Sequence, residues 1–557
     1  MASDLEPVLA PSVVKYAKLA FEDRHNDSSA TTKQSGFDTF LKELASVESS
    51  TSVPGQADLS HPISQYFVSS SHNTYLTGNQ LWSKASTDTY KNTLKRGCRC
   101  IEIDVWDGDS PSNTSSSDEG VGGQREESDI KKLGGLLKKG LGRFRSNSSS
   151  RDGAQAKEAE VAVDSPAGES THMPTPWRTT SDRAEPRVLH GYTATKEVSF
   201  RKVCEVIRDY AFRTTDLPLI VSLEIHTGHE QQEIMVEIIN DYWKQYLVPI
   251  PIDAPEDIAL PPLESLRKRI LIKIKYSSPK KAAKEEKHPT KSASKEDSSE
   301  DEAQVDPAKK GKIVEALGRL GLYTRSCHFK DFSQPEAQIP THVFSLSEGK
   351  VIDMQEQHPD ELFKHNVSYL MRAYPKGTRV RSTNLDPLPF WRVGIQIVAL
   401  NWQQVNAAMM LNEAMFAGTG GWVLKPDGYR KVGESVGDVK RVNVNLTVKI
   451  LAAQGIGKEG KTPNTYVKCQ LHVDSAAEKQ GSIPEGGQSK GGEWKRRSSI
   501  RHSRDPDWSA ETMEFKGVER VVPELSFVRY VSFRFLPGCH STRIGEDRTE
   551  IEHWRAI

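Results

Sequence analysis

Four near-continuous apolar stretches, each with polar side chains at alternate positions, constrain the fold of this chain more than any other feature. They are Cys98 to Gly108 (CRCIEIDVWDG), Leu217 to His226 (LPLIVSLEIH), Arg269 to Tyr276 (RILIKIKY) and Gly394 to Trp402 (GIQIVALNW). Their length and β-branched content read as buried strands. Between the second and third, Glu230 to Tyr246 places apolar residues at helical spacing. Strand, helix, strand in that order points to parallel β/α units. Side chains at i and i+2 of a strand share a face, so Glu102 and Asp104 project together while Ile101, Ile103 and Val105 face the other way. Taken alone, Glu-x-Asp is more often two solvated acids on an exposed edge. The flanking Cys, Ile, Val and Trp argue for burial, where an unpaired carboxylate pair is costly. A cation or an acid/base role would resolve that cost. About thirty residues upstream, Ser69 to Leu76 (SSSHNTYL) sets His72 beside the amide oxygen of Asn73 in a polar turn.

The remaining composition sets bounds. The chain has 557 residues, with Lys+Arg 75 balancing Asp+Glu 75. Length of this order gives room for about two to four domains. Balanced charge offers no argument for nucleic-acid binding. The 6 cysteines show neither CxxC pairs nor framework spacing and read as reduced thiols of an intracellular, cytoplasmic protein. Cys98-x-Cys100 reads as strand packing. No apolar run approaches the ~20 residues of a membrane-spanning helix, so membrane contact is expected to be peripheral.

Order and composition change along the chain. Residues 1–60 are mostly polar, with one amphipathic piece from Phe37 to Leu44 (FDTFLKEL). Residues 61–109 are densely patterned. Residues 110–185 are Ser-rich, Gly-rich and charged, and read as a disordered insertion. Within them the basic stretch Lys131 to Arg145 could touch an anionic membrane, although a solvated linker is the commoner meaning. Beside it, Ser146 to Arg151 (SNSSSR) is a candidate phosphorylation stretch. Residues 277–311 form a second charged linker with an acidic patch from Ser298 to Glu302. From Val442 the pattern becomes alternating strands, NVNLTVKILAAQ, TPNTYVKCQLHV, ETMEFKG and ELSFVRYVSF, a separate all-β module with a long polar loop over 474–510.

Several other strand-like runs end in polar residues. Leu189 to Thr193 offers His190, the run ending Ser222-Leu223-Glu224 offers a carboxylate, and Lys273 and Lys275 repeat the i, i+2 geometry with cations. Ser345 and Ser347, then Arg372 and Tyr374, repeat it again. Each alone is more often structure or solvated edge. In a parallel β/α barrel, however, chemistry gathers at the carboxyl ends of the strands. Gathered there, carboxylates plus an Asn oxygen suit Ca²⁺, two histidines suit acid/base work, and Lys, Lys and Arg suit a substrate with several phosphates. The implied reaction is metal-assisted phosphodiester cleavage.

The motifs HPISQYFVSSSHNTYL, GCRCIEIDVWDG, HGYT, HNVSYLMRAYPKGTRVRSTN and WRVGIQIVALNWQ together resemble eukaryotic phosphoinositide-specific phospholipase C, of the delta-like type found in lower eukaryotes. The resemblance implies a split TIM-type (β/α)8 barrel followed by an all-β C2-type sandwich. Its X half would occupy 61–276 and its Y half 312–430, with the C2-like module at 440–557. It implies a Ca²⁺-dependent enzyme that converts phosphatidylinositol 4,5-bisphosphate to diacylglycerol and inositol 1,4,5-trisphosphate. By the same resemblance His72 and His190 are the catalytic histidines, and Glu102 is the general base. Asn73, Glu102, Asp104 and Glu224 are the Ca²⁺ ligands. Lys273, Lys275, Ser345, Arg372 and Tyr374 contact substrate, with Ser347 the alternative to Ser345. The expected partners are phosphoinositide lipids at the cytosolic face of a membrane, met by a monomer.

The chain also departs from that family. It leaves no room for a pleckstrin-homology domain and at most an EF-hand remnant in 1–60, without a calcium loop. Of the apolar membrane ridge, Leu81 and Tyr192 match, while Ala194 and Thr378 replace bulkier residues. The C2-like module offers only Asn464 in its first loop, and its tail does not follow the expected final strands, so an altered C-terminus is expected. Two other readings compete. An inactive phosphoinositide-binding scaffold should have lost a histidine or carboxylate, yet all are present. A glycerophosphodiesterase would have no ring phosphates for Lys273, Lys275 and Arg372.

Overall fold

The alternating pattern folds as a closed barrel. In the computed structural model the described residues are 9–24, 36–41, 58–108, 184–191, 193, 195–251, 255–276, 313–432, 435–456, 462–473, 493–535 and 551–556. The basic stretch at 131–145, the serine run beside it, the acidic linker patch, Tyr192 and Ala194 lie outside them.

Eight parallel strands form the barrel: β1 (Tyr66–Ser71), β2 (Cys100–Trp106), β3 (Leu219–His226), β4 (Ile270–Lys275), β5 (Arg325–Cys327), β6 (His342–Ser347), β7 (Leu370–Tyr374) and β8 (Ile397–Leu400). Neighbours in sequence are neighbours in space, and β1 closes the ring by pairing with both β8 and β2. This is a TIM-type (β/α)8 barrel, with helices such as His229–Trp243 and Ala407–Phe416 between strands. An antiparallel ninth strand, β9 (Trp422–Leu424), pairs with β1.

The period-2 pattern sorts each strand into an outer and an inner face. Ile101, Ile103 and Val105 of β2, with Val221 and Leu223 of β3, join the large core shared with the helices. On the inner faces Val68, Cys100, Ile220, Leu271, Val343, Leu370 and Ile397 contribute one apolar side chain from each of seven strands to a separate cluster, sealed by Ile63 and Trp422. Two residues further along the same strands come Glu102, Ser222, Lys273, Ser345 and Arg372. Another two bring Asp104, Glu224, Lys275, Ser347 and Tyr374. The barrel is thus apolar at the amino ends of its strands and polar at the carboxyl ends, where sites in such barrels sit.

The C-terminal module pairs β10 (Val442–Ala452) with β14 (Asp507–Val521) in one sheet. The second sheet centres on β11 (Asn464–His472), which pairs with β12 (Glu493–Arg497), β13 (Arg501–His502) and β15 (Phe527–Phe535). Val444, Leu446, Met513 and Phe515 meet Cys469, Leu471 and Trp494 between the sheets, an arrangement consistent with a C2-type sandwich. One expectation needs correction. The polar stretch 474–510 is not all loop, because Trp494 is buried and draws 493–497 into the sheet despite its Lys and Arg neighbours. The described part of the tail, β16 (Ile551–Ala556), pairs antiparallel with β15.

The N-terminal segment is more structured than its polarity implies. A helix spans Pro11–Arg24, and its Ala17 and Phe21 pack against Phe37 and Phe40. It is tied to the β module by Tyr16 Oη donating to Asp507 at 2.9 Å and by the Ala10 amide donating to Gln454 at 2.8 Å. The module meets the barrel through Phe527, whose ring lies 6.3 Å from that of Trp391.

Candidate active site

The carboxyl end of β2 supplies the two acids that the i, i+2 pattern puts on one face, and β3 sets Glu224 opposite Asp104 in register. One oxygen from each of Glu102, Asp104 and Glu224 lies within 4.8 Å of the others. Oxygens around a Ca²⁺ ion sit 2.3–2.6 Å from it, so ligands on opposite sides are about 5 Å apart. The cluster is therefore of the right size for one such ion. Asp104 Oδ1 is buried with no hydrogen-bond partner among the described residues, which fits the chemistry of a cation ligand. Its other oxygen accepts from Tyr75 Oη at 2.5 Å.

Two cations join these acids. Arg372 on β7 donates to Glu102 Oε1 at 2.5 Å, with the two side chains 2% and 1% exposed. The Asn73 amide donates to Glu102 Oε2 at 2.9 Å. Asn73 follows β1 with φ of 42°, a left-handed turn that Asn tolerates. Lys273 on β4 is buried and donates to Ser222 Oγ at 3.3 Å.

These contacts set the ionisation. Burial alone would raise the Glu102 carboxyl, but Arg372, His72, the Asn73 amide and Lys273 outweigh it and hold it below the usual carboxylate range. For Asp104, burial and then the charges of Glu224 and Glu102 drive the carboxyl well up. Glu224 opens to solvent at the barrel mouth yet is walled by protein on its other sides. Desolvation first and Glu102 second push it up to about 7. Lys273 is pushed down to about 8 by burial and by Arg372. The cluster thus holds its acids apart in ionisation, as functional clusters commonly do.

The histidines lie at the same end. His72 follows β1, and its Nδ1 lies 3.0 Å from Asn401 Oδ1 beyond the end of β8. Its ring is parallel to that of Tyr374, with centroids 6.3 Å apart. His190 follows a short strand, Arg187–Val188, that pairs with the carboxyl end of β2 through Val188 and Val105. Gly191 must be glycine, since a Cβ there would fall 1.8 Å from Trp106 Cζ2. The His190 carbonyl accepts from Thr193 and Thr195 hydroxyls at 2.6 and 3.2 Å.

On β6, Ser345 stands beside Arg372 of β7 in register, and its Oγ has no partner among the described residues. Ser347 instead caps the helix Glu348–Gln357 by accepting from the Lys350 amide, which favours Ser345 of the two serines. Lys275 ends β4 as an exposed cation. Sequence reasoning missed Tyr75, Gln80, Asn401 and Ser382. Tyr75 stood inside SSSHNTYL and Asn401 inside GIQIVALNW, each a polar group next to an assigned motif.

Comparison with known proteins follows the same division. Residues 59–276 match Phosphatidylinositol-specific phospholipase C, X domain, and residues 317–428 match its Y domain. A 1-phosphatidylinositol 4,5-bisphosphate phosphodiesterase 1 from Candida albicans is 33% identical over 402 residues, covering 67% of this chain and 32% of the relative. The delta-1 phosphodiesterase of Rattus norvegicus is 28% identical over 509 residues, covering 85% and 54%. The chain thus spans between about a third and about a half of these relatives' lengths. Among solved structures, PLC21 of S. officinalis superposes with a TM-score of 0.63 at 24% identity, covering 96% of this chain and 58% of that one, a likeness of fold.

Proposed function

The chain belongs to the phosphoinositide-specific phospholipase C family, with delta-type relatives, and on that premise we propose that it is a Ca²⁺-dependent phosphodiesterase. Its substrate on this reading is phosphatidylinositol 4,5-bisphosphate, and its products are diacylglycerol and inositol 1,4,5-trisphosphate. The observation that carries the reading is the cluster of Glu102, Asp104 and Glu224 within 4.8 Å at the mouth of the barrel, with cations opposite.

Asn73, Glu102, Asp104 and Glu224 would hold Ca²⁺. Bound there, the ion would lower the pKa of the inositol 2-hydroxyl and offset charge developing on the phosphoryl oxygens. Glu102, kept ionised by Arg372, accepts the proton of that hydroxyl as its oxygen bonds to phosphorus. The bond from phosphorus to the glycerol oxygen breaks, and His190 delivers a proton to the departing diacylglycerol. His72 faces the phosphoryl group and stabilises its negative charge. Water then opens the resulting cyclic phosphate with the proton transfers reversed, which returns Glu102 and His190 to their starting states.

Lys273 and Lys275 receive the ring phosphates, with Ser345, Arg372 and Tyr374 completing the wall. Such a phosphate also restores charge to Lys273, which burial and Arg372 disfavour. At the rim, Trp82 and Val405 are 63% and 67% exposed. Their loops are joined by Gln403 donating to the Gly78 carbonyl at 3.1 Å. Among the described residues no helix is long and apolar enough to cross a membrane. We assign this rim to peripheral contact with the cytosolic face of a membrane, made by a monomer.

The test is release of water-soluble inositol phosphate from mixed micelles. Release should require Ca²⁺ and vanish in His72→Ala and His190→Ala. Lys273→Met should depress turnover of the doubly ring-phosphorylated lipid more than that of phosphatidylinositol. Hydrolysis undiminished by a chelator would sink the metal assignment.

A further inference from the structure

Two buried carboxamides beyond the residues assigned above join the sides of the barrel mouth, and one backbone carbonyl sets the polarity of the whole chain of bonds. Thr383 O can only accept, so the Asn401 atom facing it, 3.3 Å away, is Nδ2. Asn401 Oδ1 therefore points the other way, toward His72 Nδ1 at 3.0 Å and Gln80 Nε2 at 3.3 Å. Gln80 Nε2 also donates to Ser382 Oγ at 2.8 Å. Its Oε1 is then the acceptor, and Asn73 Nδ2 donates to it at 2.9 Å. Asn401 is itself clamped by Asn384, whose Oδ1 accepts from its amide at 2.6 Å and whose Nδ2 donates to its carbonyl at 3.2 Å. Asn73, Gln80 and Asn401 are all buried, so water does not compete for these groups.

We propose that Gln80 and Asn401 are positioning residues for the site. Their relay holds the Asn73 carboxamide with Oδ1 as the atom available to a cation. It also holds the His72 proton on Nδ1, which makes Nε2 the ring nitrogen that carries the lone pair. Turning the Asn73 amide over would set oxygen against Gln80 Oε1 and offer an NH₂ group to the cation. Moving the His72 proton to Nε2 would set a lone pair against Asn401 Oδ1. Either change breaks a buried hydrogen bond of the relay. Groups that orient metal ligands in this way are worth about 10–100-fold in affinity or activity. The roles given to Asn73 and His72 rest on the phosphodiesterase reading.

The experiment uses the full chain, Ca²⁺ alone as the calorimetric probe, and ¹⁵N shifts of labelled His72 as the tautomer readout. Gln80→Leu should weaken Ca²⁺ binding about tenfold or more. Asn401→Leu should turn His72 from one tautomer into a mixture and lower kcat with little change in KM. Asn401→Asp keeps an acceptor in place and should restore the single Nδ1-protonated tautomer. Gln80→Glu keeps the acceptor for Asn73 and should retain Ca²⁺ affinity. Parental Ca²⁺ affinity in Gln80→Leu, or a parental tautomer in Asn401→Leu, overturns the proposal. If the leucine variants do not fold, a mixed tautomer in Asn401→Asp or lost Ca²⁺ affinity in Gln80→Glu does the same. Neither the calorimetry nor the ¹⁵N shifts need lipid. A parent protein that binds Ca²⁺ but hydrolyses no phosphoinositide would therefore refute the enzymatic reading and leave the relay standing.

Discussion

Arg372→Met is the sharpest test of the site's electrostatics, because it removes one partner of a buried pair and keeps its bulk. Glu102 is 1% exposed and accepts from Arg372 at 2.5 Å. Removing one member of such a pair typically destabilises by about 3–5 kcal/mol, since the remaining charge is stranded. The stranded group has one escape, which is to take a proton. Neutralising a carboxyl of ordinary pKa 4.5 at about pH 7 requires about 3.4 kcal/mol, at 1.36 kcal/mol per pH unit. The Asn73 amide, Lys273 and His72 still face Glu102, so the loss should lie near ~3 kcal/mol. In the parent, Glu102 is held below its ordinary value and contributes stability above the unfolded pKa. In the variant its folded pKa is raised, so stability falls as pH rises. At about pH 5.5 the same arithmetic leaves only about 1.4 kcal/mol. Ca²⁺ supplies the missing countercharge, so the variant should regain more stability from the ion than the parent does. Urea unfolding at both pH values, with and without Ca²⁺, measures all of this. A loss independent of pH and untouched by Ca²⁺ would refute the reasoning.

Other expectations are independent of that pair. The raised carboxyls of Asp104 and of Glu224, at about 7, must release protons when a cation binds. Calorimetric Ca²⁺ affinity should therefore climb between about pH 6 and 8, by up to tenfold per unit for each proton released. His365 is buried among Phe332, Phe344 and Tyr369, and burial lowers its pKa from 6.5 to about 4. The unfolded chain takes up that proton first, so stability is lost as pH falls from about 6.5 to 4, by about 3 kcal/mol. His365→Phe should remove this component of acid unfolding. Trp82→Ala should weaken partitioning to anionic vesicles about tenfold, the value of one large apolar group, and leave hydrolysis of a micelle-free soluble analogue unchanged.

How much of this was legible beforehand divides along a physical line. A strand's inner face repeats every two residues, so CIEIDVW and ILIKIK announced both their burial and the side on which Glu102, Asp104 and Lys273 stand. Asn401 and Gln80 carried no such signal. Each is one amide in a loop, and its meaning lies in a partner 329 or 321 residues away. Ser345 and Ser347 are equivalent by period alone, and only the helix beginning at Glu348 claims Ser347 as its cap. Trp494 went unread because Lys495, Arg496 and Arg497 follow it. The N-terminal helix went unread because its apolar residues make a narrow stripe, enough to hold Phe37 and Phe40 and little more.

Several contacts of the site cross the division between the segments matching the X and Y domains. Glu102 and Arg372, His72 and Asn401, and Gln80 and Ser382 each join the first segment to the second. Loop-closure cost grows only with the logarithm of length, so a tenfold longer connection between β4 and β5 adds about 2 kcal/mol. That is less than the ~3 kcal/mol at stake in the Glu102 pair alone. Long insertions into such a barrel are therefore compatible with its closing, provided both ends of each charged pair are kept. The same pairs that would hold a cation and a substrate also commit the two segments to one another. Neither segment alone can bury its own charges, because Glu102, Asp104 and Glu224 outnumber Lys273, the buried cation that the first brings to the site, and Arg372 has no acid on its own strand. Closure of the ring and assembly of the site are in this sense one event.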